Sequence, residues 1–421
     1  MTLFRLHLHA THKPQPKYQK IRTSSLTNTN SLRPPVPAKD RIHAWLSPYS
    51  IEQKSNILKS TPAHILRDAE LLVGSGLSNS TKSTYAAGIL RWQQFCDSEN
   101  IPEDLRMPAS DILLAGFVGR HAGKHPGSTI RTWISGIRSW HILNHAPWPE
   151  DSNWLKLARR AANVKGSHLK RLPRPPITLN HLVALRNNLD LDTSFHCAIW
   201  AIALACFWGC RRLGELTIPS SSSFDPKLHV SRTGSISDYI SFNERRRLKF
   251  HIPWTKTTRE LGADVVASRF FEALCPCDAF QLHWSMNSRV PDGYSLFAYI
   301  DDSGCPQHMT KSRFLATVSK IWSDERMDKV YGHSFRIGGA VELLLAGVPP
   351  HVVAAIGGWT SLAFLVYWRK LEDIVVSQAT DAYQNDLDRV KKVMEKFRTD
   401  TGISKDLISD CMNGNNLSLD N

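Results

Sequence analysis

The chain contains 421 residues, which exceeds the needs of one hydrophobic core and suits two domains with terminal tails. Its 52 Lys and Arg residues outnumber 38 Asp and Glu residues, and the formal net charge of +14 favours a polyanionic partner, either nucleic acid or an anionic membrane surface. Eight cysteines at scattered spacing argue against a secreted disulfide framework and predict reduced thiols in an intracellular protein.

The N-terminal residues 1–60 are rich in Ser, Thr, Asn, Pro, Lys and Arg and lack a sustained apolar period. This composition predicts a disordered basic arm. Three histidines of the arm, His7, His9 and His12, are interpreted as incidental to a flexible tail and not as metal ligands. Nuclear import and DNA contact are both open as roles of the arm.

A helical domain is predicted over residues 61–160, because apolar residues recur there at helical spacing. Its main helices are expected over residues 80–101, 108–123 and 128–146, with polar caps at their starts. We interpret the aromatic side chains as core residues rather than base-stacking groups. The apolar positions are Tyr85, Ile89, Trp92, Phe95, Ile130, Ile134, Ile137 and Trp140.

A basic, proline-containing linker is predicted over residues 161–178, within the sequence KLARRAANVKGSHLKRLPRPPIT. Prolines stiffen such a segment and interrupt a helix. The segment is either a solvated connection or a path that follows a phosphate backbone, and both interpretations stay open. The candidate DNA contacts in the helical domain and linker are Arg131, Arg138, Arg159, Arg160, Lys170 and Arg171.

A second domain is predicted over residues 179–375, followed by a tail over residues 376–421 that is partly helical and then disordered. The apolar run FHCAIWAIALACFWG at 195–209 is shorter than the ~20 residues that cross a bilayer. We therefore expect a buried core helix there and no membrane span.

One stretch of the second domain, residues 239–260, alternates between apolar and polar residues and predicts strand structure. Leu248, Phe250, Ile252 and Trp254 share one side of the predicted strand. The fold class expected for the chain is mainly α with a small antiparallel β-sheet.

The nearest approach to a metal pattern combines Cys275 and Cys277 with Cys305 and His308. A C-x-C pair followed after a long gap by C-x-x-H is not a common zinc spacing. The sequence therefore predicts no metal site.

Four short motifs follow one another in the second domain: GCRRLGEL at 209–216, PWTKTT at 253–258, HSFRIGGA at 333–340 and GGWTSLAFLVYW at 357–368. In the third motif, helical spacing sets His333 and Arg336 one turn apart on one side, so both can reach one ligand group. Each motif alone has a structural explanation, such as an ion pair or a solvated turn. Explanations of this kind do not account for the order and spacing of the whole set of motifs.

This motif set resembles the tyrosine recombinase (phage integrase-like) superfamily of DNA breaking and rejoining enzymes. The amino-acid sequences of these segments are most similar to those of recombinase-like proteins of fungal mobile elements. STKSTYAAGILRWQQFC and STIRTWISGIRSWH resemble the helical, SAM-like core-binding domain of that family, and the resemblance covers about residues 60–375. It implies a two-domain DNA clamp with a separate catalytic domain.

The resemblance implies that Tyr367 attacks the scissile phosphate and forms a 3′-phosphotyrosyl link. Arg212 and Arg336 would hold the non-bridging oxygens, since guanidinium groups match phosphate geometry. His333, with an ordinary pKa near neutrality, would accept the tyrosine proton or share in phosphate binding. Lys256 would protonate the leaving oxygen. Because these cations supply what a metal supplies elsewhere, no metal or other cofactor is required.

Two details concern the first motif. Glu215 would orient Arg212 or the histidine. Between the adjacent arginines we choose Arg212 because R-L-G-E has the arginine-to-glutamate spacing of the family motif, and Arg211 is expected to contact the DNA backbone.

The last motif departs from the family pattern. The family's histidine or tryptophan usually lies nine residues before the nucleophile, which is Gly358 here, whereas Trp359 lies eight before it. Either Trp359 still packs against the phosphate site or this contact is absent. Tyr331 precedes the H-x-x-R element and Tyr383 lies far beyond it, so both suit the nucleophile's role less well.

The expected function is that of a site-specific recombinase or integrase encoded by a mobile element. The alternative is a domesticated, catalytically inactive DNA-binding protein with the same fold. A type IB topoisomerase matches less well, because no long lysine-rich linker precedes Tyr367. The resemblance implies double-stranded DNA as partner, a tetramer on DNA, no membrane association, and an intracellular location that is nuclear in a eukaryotic host.

Overall fold

The computed structural model describes residues 31–172, 174–234, 236–240, 246–268 and 272–359. Four separate residues of the tail are described as well and are helical: Lys392, Glu395, Lys396 and Thr399. The chain divides into two compact units, residues 1–172 and residues 173–421.

The described part of the first unit is helical. Its α-helices are α1 (Arg41–Ala44), α2 (Pro48–Ser60), α3 (Ala63–Ser75), α4 (Asn79–Ser98), α5 (Asp111–His121), α6 (Gly127–Leu143) and α7 (Asn153–Lys165). Ser78, Ser110 and Ser152 precede α4, α5 and α7, and each hydroxyl accepts a hydrogen bond from a first-turn backbone N–H. Such capping satisfies amides that have no partner inside the helix and fixes where each helix begins.

The core of the first unit lies between α4, α5 and α6. Trp92, Phe117, Ile137 and Trp140 are fully buried there. Phe117 meets Trp92 edge-on, with 5.6 Å between ring centroids. The interpretation of the aromatics as core residues is confirmed, since buried rings are closed to stacking on bases.

The prediction of a disordered arm over residues 1–60 is wrong for its C-terminal part. Within residues 41–60, α1 covers Arg41–Ala44 and α2 covers Pro48–Ser60. Arg33 is only 4% exposed, and its Nη1 donates to Gln93 Oε1 at 2.8 Å. The guanidinium also pairs with Asp97 and Glu103. Composition alone suggested a solvated basic segment, but carboxylates distant in sequence neutralise this arginine and hold residues 31–40 to the helical unit.

The linker predicted over residues 161–178 begins later than expected. Helix α7 continues to Lys165, and a 3₁₀ turn covers Ser167–Leu169. The first proline of the segment is Pro173, so no proline interrupts the helix-forming residues before it.

The second unit combines helices with two small sheets. Its described helices are α8 (Leu179–Asn188), α9 (Ser194–Trp208), α10 (Leu213–Leu216), α11 (Pro276–Met286), α12 (Lys311–Asp324), α13 (Ser334–Leu345) and α14 (Pro350–Gly357). Its strands are β1 (Ile236–Ile240), β2 (Arg246–Ile252), β3 (Ala263–Ser268), β4 (Tyr299–Ile300) and β5 (Pro306–Gln307). The antiparallel sheet has the order β1-β2-β3, and β4 pairs with β5. The expected fold class, mainly α with a small antiparallel sheet, is confirmed.

Helix α9 forms the centre of the second unit. All residues from Cys197 to Trp208 are buried, so the expectation of a core helix is confirmed. Among the residues that the structure describes, no helix has both the length and the apolar character needed to traverse a bilayer.

Strand β2 shows the predicted alternation. Leu248, Phe250 and Ile252 are buried, whereas Lys249 and His251 lie on the opposite face. There the Lys249 Nζ and His251 Nδ1 atoms lie 2.7 and 2.8 Å from the two carboxylate oxygens of Asp264 on β3. Trp254 comes after the end of the strand, so the predicted strand is too long at this end.

The cysteines of the rejected zinc pattern lie in different environments. Cys275 and Cys277 are buried and Cys305 is exposed. Within the described ranges, no group of three His, Cys, Asp or Glu side chains could hold a metal ion.

Helix α13 lies unusually close to two other segments. A Cβ atom at Gly338 would overlap the carbonyl oxygen of Ile177, and one at Gly339 would overlap that of Phe207 at the end of α9. The two glycines therefore allow α13 to approach the segment before α8 and the α9 backbone, which brings the H-x-x-R motif to the end of α9.

Candidate active site

The turn between α9 and α10 places Arg212. Cys210 adopts a positive φ of 47°, and the Arg211 backbone N–H donates to Cys206 O at 2.9 Å, so the chain reverses directly after α9. Arg212 is the N-cap residue of α10. Its Nη1 donates to Glu215 Oε1 at 2.8 Å, and its backbone N–H donates to Glu215 Oε2 at 3.0 Å.

The pair of Arg212 and Glu215 is asymmetric in exposure. The Glu215 side chain is 8% exposed and the Arg212 side chain 34%. A nearly buried carboxylate thus fixes one side of the guanidinium and leaves part of it open to an external anion. The predicted orienting role of Glu215 rests on this contact.

Arg336 lies on the first turn of α13 and is 1% exposed. Its Nη1 donates to two carbonyl oxygens, Cys210 O at 2.8 Å and Gly357 O at 2.9 Å. Burial, together with the charge of Arg212, lowers the pKa of Arg336 to about 10, so it remains a cation at neutral pH. Its Nη2 is buried and has no hydrogen-bond partner among the described residues.

A buried guanidinium nitrogen without an acceptor is costly, at about 1–3 kcal/mol or more for a charged group. An anionic oxygen placed there would remove the cost. Arg336 therefore has the geometry of an anion-binding group whose ligand completes its hydrogen bonds.

Trp359 covers the other face of this arginine. The Arg336 Cζ lies 3.9 Å from the Trp359 ring centroid. Gly358, with a φ of 66°, ends α14 in a left-handed conformation that glycine adopts at low cost, and this turn aims Trp359 back at Arg336. Trp359 thus contacts Arg336, which is the contact expected under the first of the two alternatives for the last motif.

His333 directly precedes α13 and is half-buried. Burial lowers the pKa of His333 to about 4, with further contributions from the positive charges of Arg336, Arg174, Arg212 and Lys311. The expectation of an ordinary pKa near neutrality is therefore wrong for the protein without DNA. His333 is a neutral imidazole at pH 7, with one ring nitrogen able to accept a proton.

Lys256 is exposed in the turn after β2, where Thr255 and Arg259 close the turn through two backbone hydrogen bonds. The neighbouring Thr257 Oγ1 lies 3.5 Å from Arg212 Nη2. The turn that carries Lys256 thus reaches the Arg212 guanidinium.

The structure accordingly assembles Arg212, Glu215, His333, Arg336 and Trp359, and it places the Lys256 turn beside them. Tyr367 lies outside the described residues, as does the competing Tyr383. The other alternative nucleophile, Tyr331, is 46% exposed two residues before His333.

Arg211 does not occupy the predicted position. It is 4% exposed, and its Nη2 donates to the backbone carbonyl of Asp264 on β3. The expectation that Arg211 contacts the DNA backbone is corrected: this side chain ties the turn after α9 to the sheet. Adjacent arginines in a sequence cannot reveal which of the two turns inward.

Two cations near His333 were missing from the sequence-based set, Arg174 and Lys311. Arg174 precedes α8 and Lys311 is the first residue of α12, so neither belongs to one of the four motifs. The only sequence signal was the proline-rich basic segment that contains Arg174.

The basic residues predicted in the helical unit have different surroundings. Arg131 on α6 and Arg159 and Arg160 on α7 line one cleft of about 320 Å³, together with Lys156. Arg138 forms an ion pair with Glu150. Lys170 and Arg171 are exposed after the 3₁₀ turn.

No protein-family model matches the sequence, and no curated protein matches it either. Solved structures do match. XerH site-specific recombinase bound to palindromic difH substrate, in a post-cleavage complex, has 12% identity and a TM-score of 0.48, over 82% of this chain and 94% of that chain.

Two further solved structures match with similarly low identity. The Tn1549 transposon integrase in complex with a circular intermediate DNA has 14% identity and a TM-score of 0.43, over 76% of this chain and 95% of the other. XerA recombinase has 15% identity and a TM-score of 0.32, over 73% and 95%. At these identities and TM-scores the likeness assigns a role to no residue of this chain.

Proposed function

We propose that this chain is a site-specific DNA recombinase or integrase of the tyrosine recombinase superfamily. The observation that carries the proposal is the buried Arg336, whose Nη1 bonds to the turn that presents Arg212 and whose Nη2 lacks an acceptor among the described residues. Two guanidinium groups and a neutral histidine around one position are suited to an anionic phosphoryl group.

The proposed reaction begins with Tyr367. A tyrosine of ordinary pKa near 10 is ionised to only about one part in a thousand at neutral pH, so its proton must be removed as it attacks. His333, neutral at pH 7, accepts that proton. A bond forms between the tyrosine oxygen and phosphorus while the bond from phosphorus to the 5′ oxygen breaks.

Lys256 donates a proton to the departing 5′ oxygen, and Arg212 and Arg336 stabilise the charge on the non-bridging oxygens. The product is a 3′-phosphotyrosyl link and a free 5′ hydroxyl. Attack by a 5′ hydroxyl of another strand reverses the step and restores the tyrosine, so the bond is conserved without a nucleotide or another cofactor.

We also propose an origin for the gene, a substrate, a cellular location and an assembly. The amino-acid sequences of the motifs favour a mobile element as the source of the gene and double-stranded DNA as substrate. The site of action would be the nucleus in a eukaryotic host. A tetramer on two duplexes is proposed, with the tail after residue 375 docking on a neighbouring subunit. Deletion of this tail should then weaken assembly and leave binding to one isolated duplex nearly intact.

The test uses a nicked duplex from the DNA that flanks the coding gene. Nicking lets the short cleaved strand diffuse away and traps the covalent intermediate. We expect wild-type protein to form an SDS-resistant protein–DNA adduct that Tyr367→Phe does not form. Tyr331→Phe is the matched control, because it removes the exposed tyrosine near His333 and should leave the adduct intact.

The alternative is a DNA-binding protein of the same fold without turnover. The unusual position of Trp359, which covers Arg336, is the observation that favours it. Absence of an adduct with every flanking sequence, alongside normal DNA binding, would establish that alternative. An adduct that survives in Tyr367→Phe would refute the proposed nucleophile.

A further inference from the structure

Lys311 lies beside the candidate site through both its backbone and its side chain. Its backbone N–H donates to Ile218 O at 3.0 Å, and the Ile218 N–H donates to Met309 O at 3.1 Å, which joins the start of α12 to the segment after α10. Its Cε would lie 3.6 Å from a Cβ placed on Gly332, the residue before His333. The exposed ammonium thus lies at the edge of the site.

Arg174 reaches the same region from a different part of the chain. Its Cζ lies 5.9 Å from the ring centroid of Tyr331. Three residues later, the Ile177 N–H donates to Ser334 O at 3.0 Å and fixes this segment to the first turn of α13. Arg174 is exposed, so its guanidinium is open to solvent.

Arg174 lies over the Tyr331 ring, but neither Arg174 nor Lys311 has an acidic partner in the part of the chain that the structure describes. Among the described residues, no carboxylate forms an ion pair with Arg174 or Lys311. By contrast, Arg212 is paired with Glu215. The contacts with Tyr331 and Gly332 place both cations next to His333, and their positive charges contribute to the lowered pKa of His333.

The positive charge exceeds what one phosphodiester needs. Even with Lys256 left out of the count, Arg174, Arg212, Lys311 and Arg336 contribute four positive charges, and Glu215 offsets one. A single scissile phosphodiester carries one negative charge, so two positive charges remain. In duplex DNA each strand adds one phosphate per about 3.4 Å of helix axis, which places further anions next to the scissile one.

We propose that Arg174 and Lys311 bind the backbone phosphates adjacent to the scissile phosphate, so that the site holds consecutive phosphates of one strand. The inference rests on the proposed function and extends it. Arg212 and Arg336, the more buried pair, are assigned to the reacting phosphate. The two exposed cations hold the strand in register beside it and contribute to affinity for any sequence.

The test measures the salt dependence of binding to a duplex of about 30 base pairs and arbitrary sequence, because each phosphate contact contributes about 0.9 to the slope of log K against log salt. Lys311→Gln and Arg174→Gln should each lower the slope by about 0.9. Between about 50 and 200 mM salt, each variant should then lose roughly 3.5-fold less affinity than wild type.

Lys320→Gln is the matched control, since Lys320 is exposed on the same helix α12 more than two turns away. It should keep the wild-type slope. Lys311→Arg and Arg174→Lys retain the charge and should also keep it. Unchanged slopes in both glutamine variants, with thermal melting showing an intact fold, would overturn the inference.

The experiments can refute the recombinase chemistry and the adjacent-phosphate contacts independently of each other. Unchanged slopes together with a Tyr367-dependent adduct refute the adjacent-phosphate contacts alone. Lowered slopes without any adduct leave the phosphate contacts in place and refute the recombinase chemistry. A slope that falls equally in Lys320→Gln would show a general loss of surface charge and would also refute the inference.

Discussion

The indole ring of Trp359 lies over the guanidinium of Arg336, with 3.9 Å between the ring centroid and Cζ. The arginine is 1% exposed, and its Nη2 is both buried and without an acceptor among the described residues. A phosphate oxygen can therefore reach Nη2 only after a neighbouring group moves. The indole and the two carbonyl acceptors of Nη1 hold this guanidinium in place.

The first prediction concerns the energy of this contact. A cation over an indole face contributes roughly 0.5–2 kcal/mol, more when both groups are desolvated. Trp359→Ala should lower the free energy of unfolding by at least that amount, and Trp359→Phe should lower it by less because a ring remains. Urea denaturation measures both changes. Equal stability of wild type and Trp359→Ala would show that the stacking contributes nothing.

The second prediction links DNA binding to a proton at His333. Burial and four nearby cations hold the pKa of His333 at about 4, below its usual 6.5, so the free protein carries this histidine neutral at about pH 6. A bound phosphate offsets the cations and raises the pKa. Binding at about pH 6 should then take up a fraction of a proton, and the uptake should vanish at about pH 8.

Calorimetry in two buffers of different ionisation enthalpy measures this uptake with a duplex of arbitrary sequence. His333→Gln should abolish it, whereas His351→Gln, which alters an exposed histidine on α14, should not. Proton release on binding, or uptake that persists in His333→Gln, would contradict the assignment.

Local sequence spacing is sufficient to predict some residues of the candidate site and insufficient to predict others. The spacing of Arg212 with Glu215, and of His333 with Arg336, follows from single helical turns, so the sequence predicts each pair. The proximity of Arg174 and Lys311 depends on backbone hydrogen bonds between segments more than 90 residues apart, such as Ile218 with Met309. No helical or strand period encodes such a contact.

The same distinction applies to the fold. Helices α4, α5 and α6 carry apolar faces and caps that the sequence displays directly. The burial of Arg33 depends on Gln93, Asp97 and Glu103, which are 60 to 70 residues away. A basic residue in a polar, proline-rich segment has the same composition signal whether it is solvated or paired.

The third prediction tests this buried arginine. Arg33→Ala would leave Asp97 and Glu103 with only Arg106 as a cationic partner among the described residues. Their side chains are 32% and 27% exposed, so water would recover part of the lost interaction. We expect the free energy of unfolding to fall by about 1–3 kcal/mol. Arg67→Ala, at an exposed position on α3, should change it by less than about 0.5 kcal/mol.

The fourth prediction compares one substitution at two glycines. Gly339→Ala places a methyl group where the Phe207 carbonyl oxygen lies, so α13 must move away from α9. Overpacking of this kind costs about 1–3 kcal/mol or more, and the displacement should also shift His333 and Arg336 and reduce adduct formation. Gly119→Ala on α5 meets no other atom of the described residues within 4 Å and should instead stabilise the helix by roughly 0.5–1 kcal/mol. Urea denaturation of both variants, together with the adduct assay, checks the opposite signs. A neutral effect at Gly339 would show that the close approach of α13 to α9 is not needed to hold the site.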